Sequence, residues 1–295
     1  MGMNKNRESI HEKVSHGKKT FPYALYHARI PEWLSGFPLH WHEEFEIILV
    51  TYGQGIFTVN GENRLCKKGD LVIIPPGTIH SIERNQKDYT EYFNILFSFS
   101  LLEENPESHC HRKFLSKLSC GTGVRSFFLS GSSSATRIAE LAQDLINHRE
   151  ENYSGYELMI KSRLYEILFI LTQENLDCSG ESSQNRKEEE NSAKIKKVLA
   201  YTQEHFADKI GVAEAASICS LSESRFMTFF KSQTGTSYIQ YLKDYRLEAA
   251  AEEIRGSRSE ITRIALENGF DNISYFIRAF KEKFGCTPLA YRKKG

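Results

Sequence analysis

The strongest constraint in this sequence is a unit in its C-terminal third that occurs twice, 50 residues apart. The paired positions are Ala215 and Ala265, Phe226 and Phe276, Phe230-Lys231 and Phe280-Lys281, Gly235 and Gly285, and Tyr241 and Tyr291. A fixed period of this length indicates one structural unit used twice. Each copy has the pattern of a helix, a tight turn and a second helix.

Apolar residues at helical spacing predict the helices of this region. The predicted spans are 195–206, 212–218, 223–233, 238–255, 260–267 and 272–284, with a last short helix after Thr287-Pro288. The span 238–255 joins the two units. Ser222 and Thr287 are predicted to cap helices, and Gly269 supplies a turn conformation that other residues resist.

Charge is distributed unevenly, although the whole chain is neutral. Residues 191–295 contain 17 Lys and Arg against 12 Asp and Glu, a net charge of +5, which leaves −5 for the preceding residues. A basic region attached to an acidic one indicates a polyanionic partner at one end. A helix-turn-helix would suit DNA, because its second helix enters the major groove with an apolar back and a polar front.

Polar side chains on the two second helices are the candidate DNA contacts. They are Ser224, Arg225, Thr228 and Lys231 in the first unit and Arg278 and Lys281 in the second. Arg278 has the geometry to bind a guanine through two hydrogen bonds, and the lysines suit phosphates. The alternative is that these are only solvated helix charges. The repetition favours two helices presented to successive turns of one DNA face.

Residues 269–292 read G-F-D-N-x-S-Y-F-x-R-x-F-K-x-x-x-G-x-x-P-x-x-Y-R, which resembles the signature of AraC/XylS-type transcription regulators. The first unit is similar to the matching part of that family through Phe226, Phe230-Lys231, Gly235, Ser237, Tyr241, Arg246-Leu247 and Ala250. The resemblance covers about 195–292 and implies that the second helix of each unit reads DNA. The base-facing residues that it implies are Ser224, Met227, Thr228, Ser274, Ile277 and Arg278.

Two positions depart from that family pattern. The family often has Arg where Thr228 stands, so the first helix is expected to read a different base or to depend on DNA shape. The usual Pro is replaced by Tyr238.

Residues 21–100 have the pattern of short strands separated by Gly and Pro. The runs at 45–52, 55–59, 71–74 and 92–99 suit strands, and Asn60-Gly61 is a strong hairpin turn. A weaker run at 125–129 would add one more strand. This pattern favours a small barrel or sandwich.

Two amphipathic helices are predicted after the strands. Their apolar stripes are Ile138, Leu141, Ala142, Leu145 and Ile146, and then Leu158, Leu164, Ile167, Leu168 and Leu171. Packing on the strand domain and packing on a second subunit both remain open. Residues 177–191 contain no aromatic or aliphatic side chain, which predicts a flexible linker between a domain at 20–176 and another at 192–295.

A cluster of possible ligands lies in the strand-rich part. On a strand, residues 40, 42 and 46 point to one face, so a barrel interior can gather His40, His42, Glu46 and His80. Three imidazoles and a carboxylate suit Mn, Fe, Ni or Zn. The spacing H-x-H-x3-E-x6-G with G-x5-P-x-G-x2-H resembles the two cupin motifs, although their upstream Gly and final Asn have no clear counterpart here.

The cupin resemblance implies two alternatives. Cupin enzymes bind a catalytic metal with these residues, whereas AraC-type regulators often carry a cupin-like domain that senses an effector. A divalent transition metal and a metal-free pocket for a small polar effector, such as a sugar, both remain open. Trp41 and Tyr92 are candidate stacking surfaces for a sugar ring. The predicted effector site is His40, Trp41, His42, Glu46, His80 and Tyr92.

The predicted fold is α+β and multidomain, with an N-terminal cupin-like β-barrel plus amphipathic helices, and an all-α tail of two helix-turn-helix units joined by a long helix. The predicted function is a ligand-responsive transcription regulator, by family an activator that contacts RNA polymerase, and a homodimer on promoter DNA. One alternative is a metal-dependent cupin enzyme with an accessory DNA-binding tail. Another is a constitutive DNA-binding protein whose barrel only dimerises.

Features elsewhere in the chain predict a cytoplasmic protein. No apolar run approaches the ~20 residues that span a bilayer, and residues 1–19 lack the apolar core of a secretory signal. The six cysteines are scattered without a C-x-x-C pair, which favours reduced thiols. His109-Cys110-His111 is interpreted as a polar loop rather than a metal site.

Overall fold

The structure, a computed structural model, describes residues 16–30, 36–85, 88–102, 105, 107–121, 124–149, 154–174 and 182–293, with the backbone alone at 84 and 182–189. The described residues divide between Glu189 and Glu190 into two compact units. We call the part before this division the front unit and the part after it the tail unit.

The front unit is built on antiparallel strands. They are β1 (Tyr23–Ile30), β2 (Gly36–His40), β3 (Phe45–Val59), β4 (Glu62–Lys67), β5 (Leu71–Ile74), β6 (His80–Arg84), β7 (Thr90–Phe97) and β8 (Phe127–Phe128). The long strand β3 pairs with β7 and β5 along its first half and with β4 and β6 along its second half. The orders β1-β7-β3-β5-β8 and β2-β6-β3-β4 therefore share β3 and enclose one interior, as predicted for a barrel.

The two strands predicted at 45–52 and 55–59 are one strand. Gly53 has φ +67°, and a Cβ there would lie 1.6 Å from the carbonyl oxygen of Tyr89. Only Gly fits this position, so the residue that looks like a strand end is a bend inside β3. The register shift between Val50 and Tyr52 marks a bulge at the same place.

The Asn60-Gly61 hairpin prediction is confirmed. Asn60 has φ +47° and Gly61 has φ +79°, the two positive values of a type I′ turn. The strand predicted at 92–99 lies two residues earlier, at Thr90–Phe97, because Ser98 caps a 3₁₀ turn over Phe99–Leu101. The run at 125–129 contributes only the two residues of β8.

Helices cover one face of the sheet in the front unit. They are a π-helix (His111–Leu115) that continues into α1 (Ser116–Ser119), then α2 (Ser133–Asn147) and α3 (Tyr156–Glu174). Every residue of the predicted α2 stripe is buried, and both helices pack in one core with the sheet residues Ile47 and Ile95. The stripes thus belong to an intramolecular core.

Leu158 is an error in the predicted stripe, because it is 73% exposed. It lies six residues from Leu164, about 600° of helical rotation, which places it about 120° around α3 from Leu164 and outside the buried stripe. Ile160 is buried in its place.

The tail unit is helical. Its helices are α4 (Ser182–His205), α5 (Val212–Ile218), α6 (Glu223–Thr234), α7 (Tyr238–Gly256), α8 (Ile261–Glu267), α9 (Ile273–Phe284) and α10 (Pro288–Arg292). Helix α4 begins before the division and lies in this unit from Glu190 onward. The helices predicted after residue 210 are all present, with bounds within one residue. Across the described part of the chain, the helices are too short or too polar to cross a bilayer.

The flexible-linker prediction is wrong for 182–191, which form the start of α4. Residues 177–181 lie outside the described part. Glu, Lys, Arg and Gln favour helices, and the lack of apolar residues prevents burial without preventing helix formation. The helix predicted at 195–206 is the later part of α4, where Ile195, Val198, Leu199 and Thr202 are buried.

The repeat is less regular than its sequence suggests. An offset of 50 residues relates α6 to α9, but an offset of 49 relates α5 to α8. The N–H of Leu221 bonds to the carbonyl of Ala216, and that of Phe270 bonds to Ala265 in the same way, both at 3.0 Å. Ala216 rather than Ala215 is therefore the counterpart of Ala265. The turn of the second unit contains one additional residue.

Leu164→Ala is expected to lower the free energy of unfolding of the front unit by about 2–5 kcal/mol, because it leaves a cavity in a packed core. Leu158→Ala removes the same atoms from the exposed side of α3, so a change within about 0.5 kcal/mol is expected when both variants are compared as monomers, at protein concentrations too low for self-association. Both tryptophans, Trp33 and Trp41, precede Glu189. Urea unfolding followed by tryptophan fluorescence therefore reports on this unit, and equal losses in the two variants would contradict the packing.

Candidate effector pocket and DNA interface

Three histidines converge inside the front unit. His40 ends β2 and pairs in register with His80 at the start of β6, and their ring centroids are 4.1 Å apart. The ring of His42 lies 5.0 Å from that of His80. One ligand atom from each of the three lies within 4.8 Å of the others. His42 and His80 are buried, and His40 is half-buried.

Glu46 completes this cluster, as predicted from the sequence. The prediction placed residues 40, 42 and 46 on one strand, whereas β2 ends at His40 and β3 begins at Phe45. The chain turns between them, and the pairing of β2 with β6 and of β3 with β6 brings the groups together. The Oε2 atom of Glu46 lies 3.2 Å from Nε2 of both His42 and His80.

The environment of the cluster shifts two pKa values. Burial favours a raised pKa for Glu46, but hydrogen bonding and positive charge from His42 and His80 outweigh it and hold the pKa below its usual range. Glu46 is therefore ionised at neutral pH. Burial and the neighbouring His80 lower the pKa of His40 to about 3, so His40 is neutral.

The tautomers of two imidazoles follow from their backbone contacts. Nδ1 of His40 lies 2.9 Å from the carbonyl oxygen of Pro38, and Nδ1 of His80 lies 2.9 Å from that of Thr78. A carbonyl only accepts, so each Nδ1 donates, and in a neutral ring Nε2 keeps its lone pair.

Nε2 of a neutral His80 would face the Glu46 carboxylate at 3.2 Å, acceptor against acceptor. A proton or a metal ion between the two atoms removes this repulsion. Metal-binding histidines typically donate their second N–H to a carbonyl in this way. Three imidazoles and a carboxylate therefore fit a divalent transition metal.

Further polar groups extend the cluster along the interior. Along β3 and β7, Ile47 and Phe93 face the helices, whereas Ile48 and Tyr92 face the interior core. Alternation places Asn94 on the interior side as well. Tyr92 OH and Asn94 Oδ1 are buried and have no hydrogen-bond partner among the described residues. Buried polar atoms normally have partners, so this interior suits a polar ligand.

Sequence reasoning missed three residues of this pocket. Asn94 follows Tyr92 by two positions, so strand alternation could have found it. Tyr26 pairs in register with Asn94 on β1. His16 is buried, contacts Tyr26 OH at 3.0 Å through Nδ1 and lies 5.9 Å from His42 between ring centroids. No local pattern marks His16, because only the tertiary fold brings it to the cluster. The predicted Trp41 is half-buried.

The candidate DNA contacts lie on α6 and α9. Both helices bury an aromatic back, Phe226 and Phe230 in the first and Phe276 and Phe280 in the second. All but one of the predicted DNA contacts are exposed, on the sides of α6 and α9 that face away from these aromatic residues. The exception, Met227, is half-buried. The exposed residues are Ser224, Arg225, Thr228, Lys231, Ser274, Ile277, Arg278 and Lys281. The two helices therefore present matching rows of side chains 50 residues apart.

The two rows differ in chemistry. The Thr228 hydroxyl donates to the carbonyl of Ser224 on its own helix at 3.3 Å. At the equivalent place, the Arg278 guanidinium carbon lies 5.7 Å from the ring centroid of Tyr275, a residue that sequence reasoning did not select. At this position α9 therefore has a long cationic side chain beside an aromatic ring, whereas α6 has a short neutral side chain.

Comparison with known proteins identifies the family. The model of the AraC-like ligand binding domain matches residues 22–168, and that of a helix-turn-helix domain matches 215–294. The chain belongs to the AraC/XylS family of transcription regulators. These matches cover the pocket and both candidate reading helices.

Several relatives match over most of their length. The uncharacterized HTH-type transcriptional regulator YdeC of Bacillus subtilis is 26% identical over 97% of each chain. The arabinose operon regulatory protein of Escherichia coli is 25% identical over 83% of this chain and 78% of its own. The transcriptional activator RhaS of an Enterobacter species is 24% identical over 90% of each. The predictions of a ligand-responsive DNA-binding regulator, and against an enzyme, are confirmed.

Tyr92→Phe is expected to leave the stability of the ligand-free front unit unchanged, or to raise it by up to about 1 kcal/mol, because the lost hydroxyl has no partner among the described residues. Tyr165→Phe is the matched control, because the Tyr165 hydroxyl donates to the carbonyl of Leu102 at 2.5 Å. That change is expected to cost about 1 kcal/mol. Urea titration with tryptophan fluorescence compares them. A larger loss from Tyr92→Phe would mean that the hydroxyl is already satisfied within the protein.

Proposed function

We propose that a small polar metabolite, a sugar, binds in the histidine-lined pocket and changes how the tail unit binds promoter DNA. The observation that carries this proposal is the pair of buried, unsatisfied polar atoms on Tyr92 and Asn94. Hydroxyl groups of a polyol would supply the missing partners. The arabinose operon regulatory protein among the relatives supports a sugar. The ligand acts only if it prefers one of two states of the protein.

The test is DNA footprinting on the promoter beside the chain's own gene, with and without each monosaccharide of a panel. We expect one sugar to change the protected region or the protein concentration needed for protection. Tyr92→Phe should protect the same DNA without sugar and need a higher concentration of the active sugar. A footprint that no sugar changes, together with no sugar-induced rise in melting temperature, would overturn the sugar proposal.

The regulator is proposed to be a cytoplasmic homodimer that activates transcription through RNA polymerase. RhaS, one of the relatives, is a transcriptional activator. The exposed side of α3 carries Leu158, Tyr165 and Phe169, which are 73%, 41% and 62% exposed and seven and four residues apart. This spacing forms one apolar face suited to a second copy. Sedimentation equilibrium tests this, and a monomer at micromolar concentration would refute it.

A bound divalent transition metal is the second candidate for the pocket. His40, His42 and His80 would hold it, with Glu46 as a fourth ligand, and the ion would supply a Lewis-acidic anchor for ligand oxygens. The fixed Nδ1 donors of His40 and His80 support this arrangement.

His80→Ala is expected to abolish metal retention. After incubation with Zn²⁺, Ni²⁺, Mn²⁺ or Fe²⁺ and dialysis, elemental analysis should find one equivalent of one of these metals in the unchanged protein. Metal at a hundredfold excess over its Kd should add about 2.7 kcal/mol of stability. His109→Ala, which removes an exposed histidine of the same unit, should keep both effects. Equal metal content in the two variants would contradict this site.

The reading helices are proposed to divide base recognition unequally, with Arg278 of α9 binding a guanine and the lysines binding phosphates. Arg278→Ala is expected to weaken binding to the selected sequence by roughly 1–3 kcal/mol and to relax one base position. Lys281→Ala, on the same helix, should weaken binding to all sequences alike and reduce the salt slope by about 1.

Selection from random duplexes and titrations at several salt concentrations measure both effects. An unchanged base preference in Arg278→Ala would argue against direct readout by this side chain. A salt slope that stays constant in Lys281→Ala would argue against a phosphate contact.

A further inference from the structure

Helix α7 belongs to both halves of the tail unit. Near its start, Tyr238 packs edge-on against Phe226 and Phe230 of α6, with ring centroids 5.4 and 5.3 Å apart. Its later residues, such as Leu247 and Ile254, belong to the core that contains Phe276 and Phe280 of α9. Arg246 lies between these two packed regions. The relative rotation of α6 and α9 therefore depends on α7 and on what holds its middle.

Arg246 binds the chain just beyond the end of α4. Its Nε donates to the carbonyl of Phe206 at 2.7 Å, and its Nη2 donates to that of Asp208 at 2.8 Å. The last carbonyls of a helix and the residues after it lack intrahelical partners, and a cation is favourable there. The planar fork of Arg meets two carbonyls at once, which the single ammonium of Lys does not reproduce.

The turn of the second unit lies directly on this contact. Gly269 has φ +80°, and a Cβ there would be 2.9 Å from Nε of Arg246 and 3.0 Å from the carbonyl oxygen of Phe206. Three segments therefore meet at Arg246, namely the end of α4, the middle of α7 and the turn between α8 and α9. The absence of a side chain at Gly269 permits the approach.

A second polar contact holds α9 to the same helix. The Nζ atom of Lys283 lies 3.2 Å from Glu248 and 3.6 Å from Asp244, both on α7. In the first unit the position equivalent to Lys283 is Gln233. The second reading helix is thus fixed to α7 by charge, and α7 is fixed to the end of α4 by Arg246.

We propose that Arg246 is a positioning residue that fixes the relative rotation of α6 and α9, and with it the spacing between the two DNA subsites that one chain accepts. This inference rests on the proposal that both helices read DNA. Without the guanidinium group of Arg246, α7 retains its apolar packing but loses its fixed contact with the carbonyl groups of Phe206 and Asp208. The second unit can then adopt a wider range of orientations, so binding should tolerate several spacings.

The probe for this inference is the duplex that the full-length unchanged protein selects from a random pool, together with versions that have one or two base pairs inserted or deleted between its subsites. The unchanged protein should bind the selected spacing more tightly than the altered ones by about tenfold or more. Arg246→Lys should reduce that preference to about twofold or less. Arg263→Lys is the matched control, because Arg263 forms an exposed pair with Glu267 on α8, and it should keep the full preference.

The outcomes separate the possible explanations. If Arg246→Lys loses affinity equally at every spacing, Arg246 only stabilises the fold and the inference fails. Retention of the full preference in Arg246→Lys also overturns it. An absence of spacing preference in the unchanged protein would instead refute the proposal of two reading helices. Gly269→Ala displaces the guanidinium from the other side and should also relax the spacing preference, which keeps the test decisive if Arg246→Lys does not fold.

Discussion

The alternation of side chains along β3 is the constraint on which the front unit depends. Residues such as Ile47 and Leu49 point to the helices, and Ile48 and Val50 point to the interior. The same alternation places Glu46 on the interior side, next to histidines from β2 and β6. Because β3 pairs with four strands, it cannot slip by one residue without exchanging its two faces. The pocket chemistry is therefore fixed by the pairing that closes the sheet.

In the tail unit the constraint is helix length. Helices of seven to twelve residues, such as α5, α6, α8 and α9, have only marginal stability in isolation. Each pair packs on α7, so one 19-residue helix supports two short modules. The buried aromatic backs of α6 and α9 hold their polar rows toward solvent. Asp244, Arg246 and Glu248 on α7 then bind the neighbouring segments through charge and hydrogen bonds.

Much of this organisation was predictable where the determining interactions are local. The Asn60-Gly61 turn requires only two residues with positive φ, and the helices of the tail follow from periodicity and caps such as Thr287. The histidine cluster was found from spacing, although the strand assumed between His40 and Glu46 is interrupted. The prediction of a flexible chain was wrong at 182–191 because it equated lack of burial with lack of helix. The assignment of Leu158 to the buried stripe of α3 was wrong because the residue is apolar but lies at a different angle around the helix.

The sequence by itself determined the duplicated helical unit, the strand-rich front and the residue types that can bind a ligand or DNA, because periodicity and turn chemistry act over a few residues. Only the tertiary structure decided that Asn94 and His16 join the histidines, that β3 continues through Gly53, and that Arg246 meets Phe206 and Gly269. These contacts join segments far apart in the chain. Their positions depend on strand register and helix packing, which no local pattern specifies.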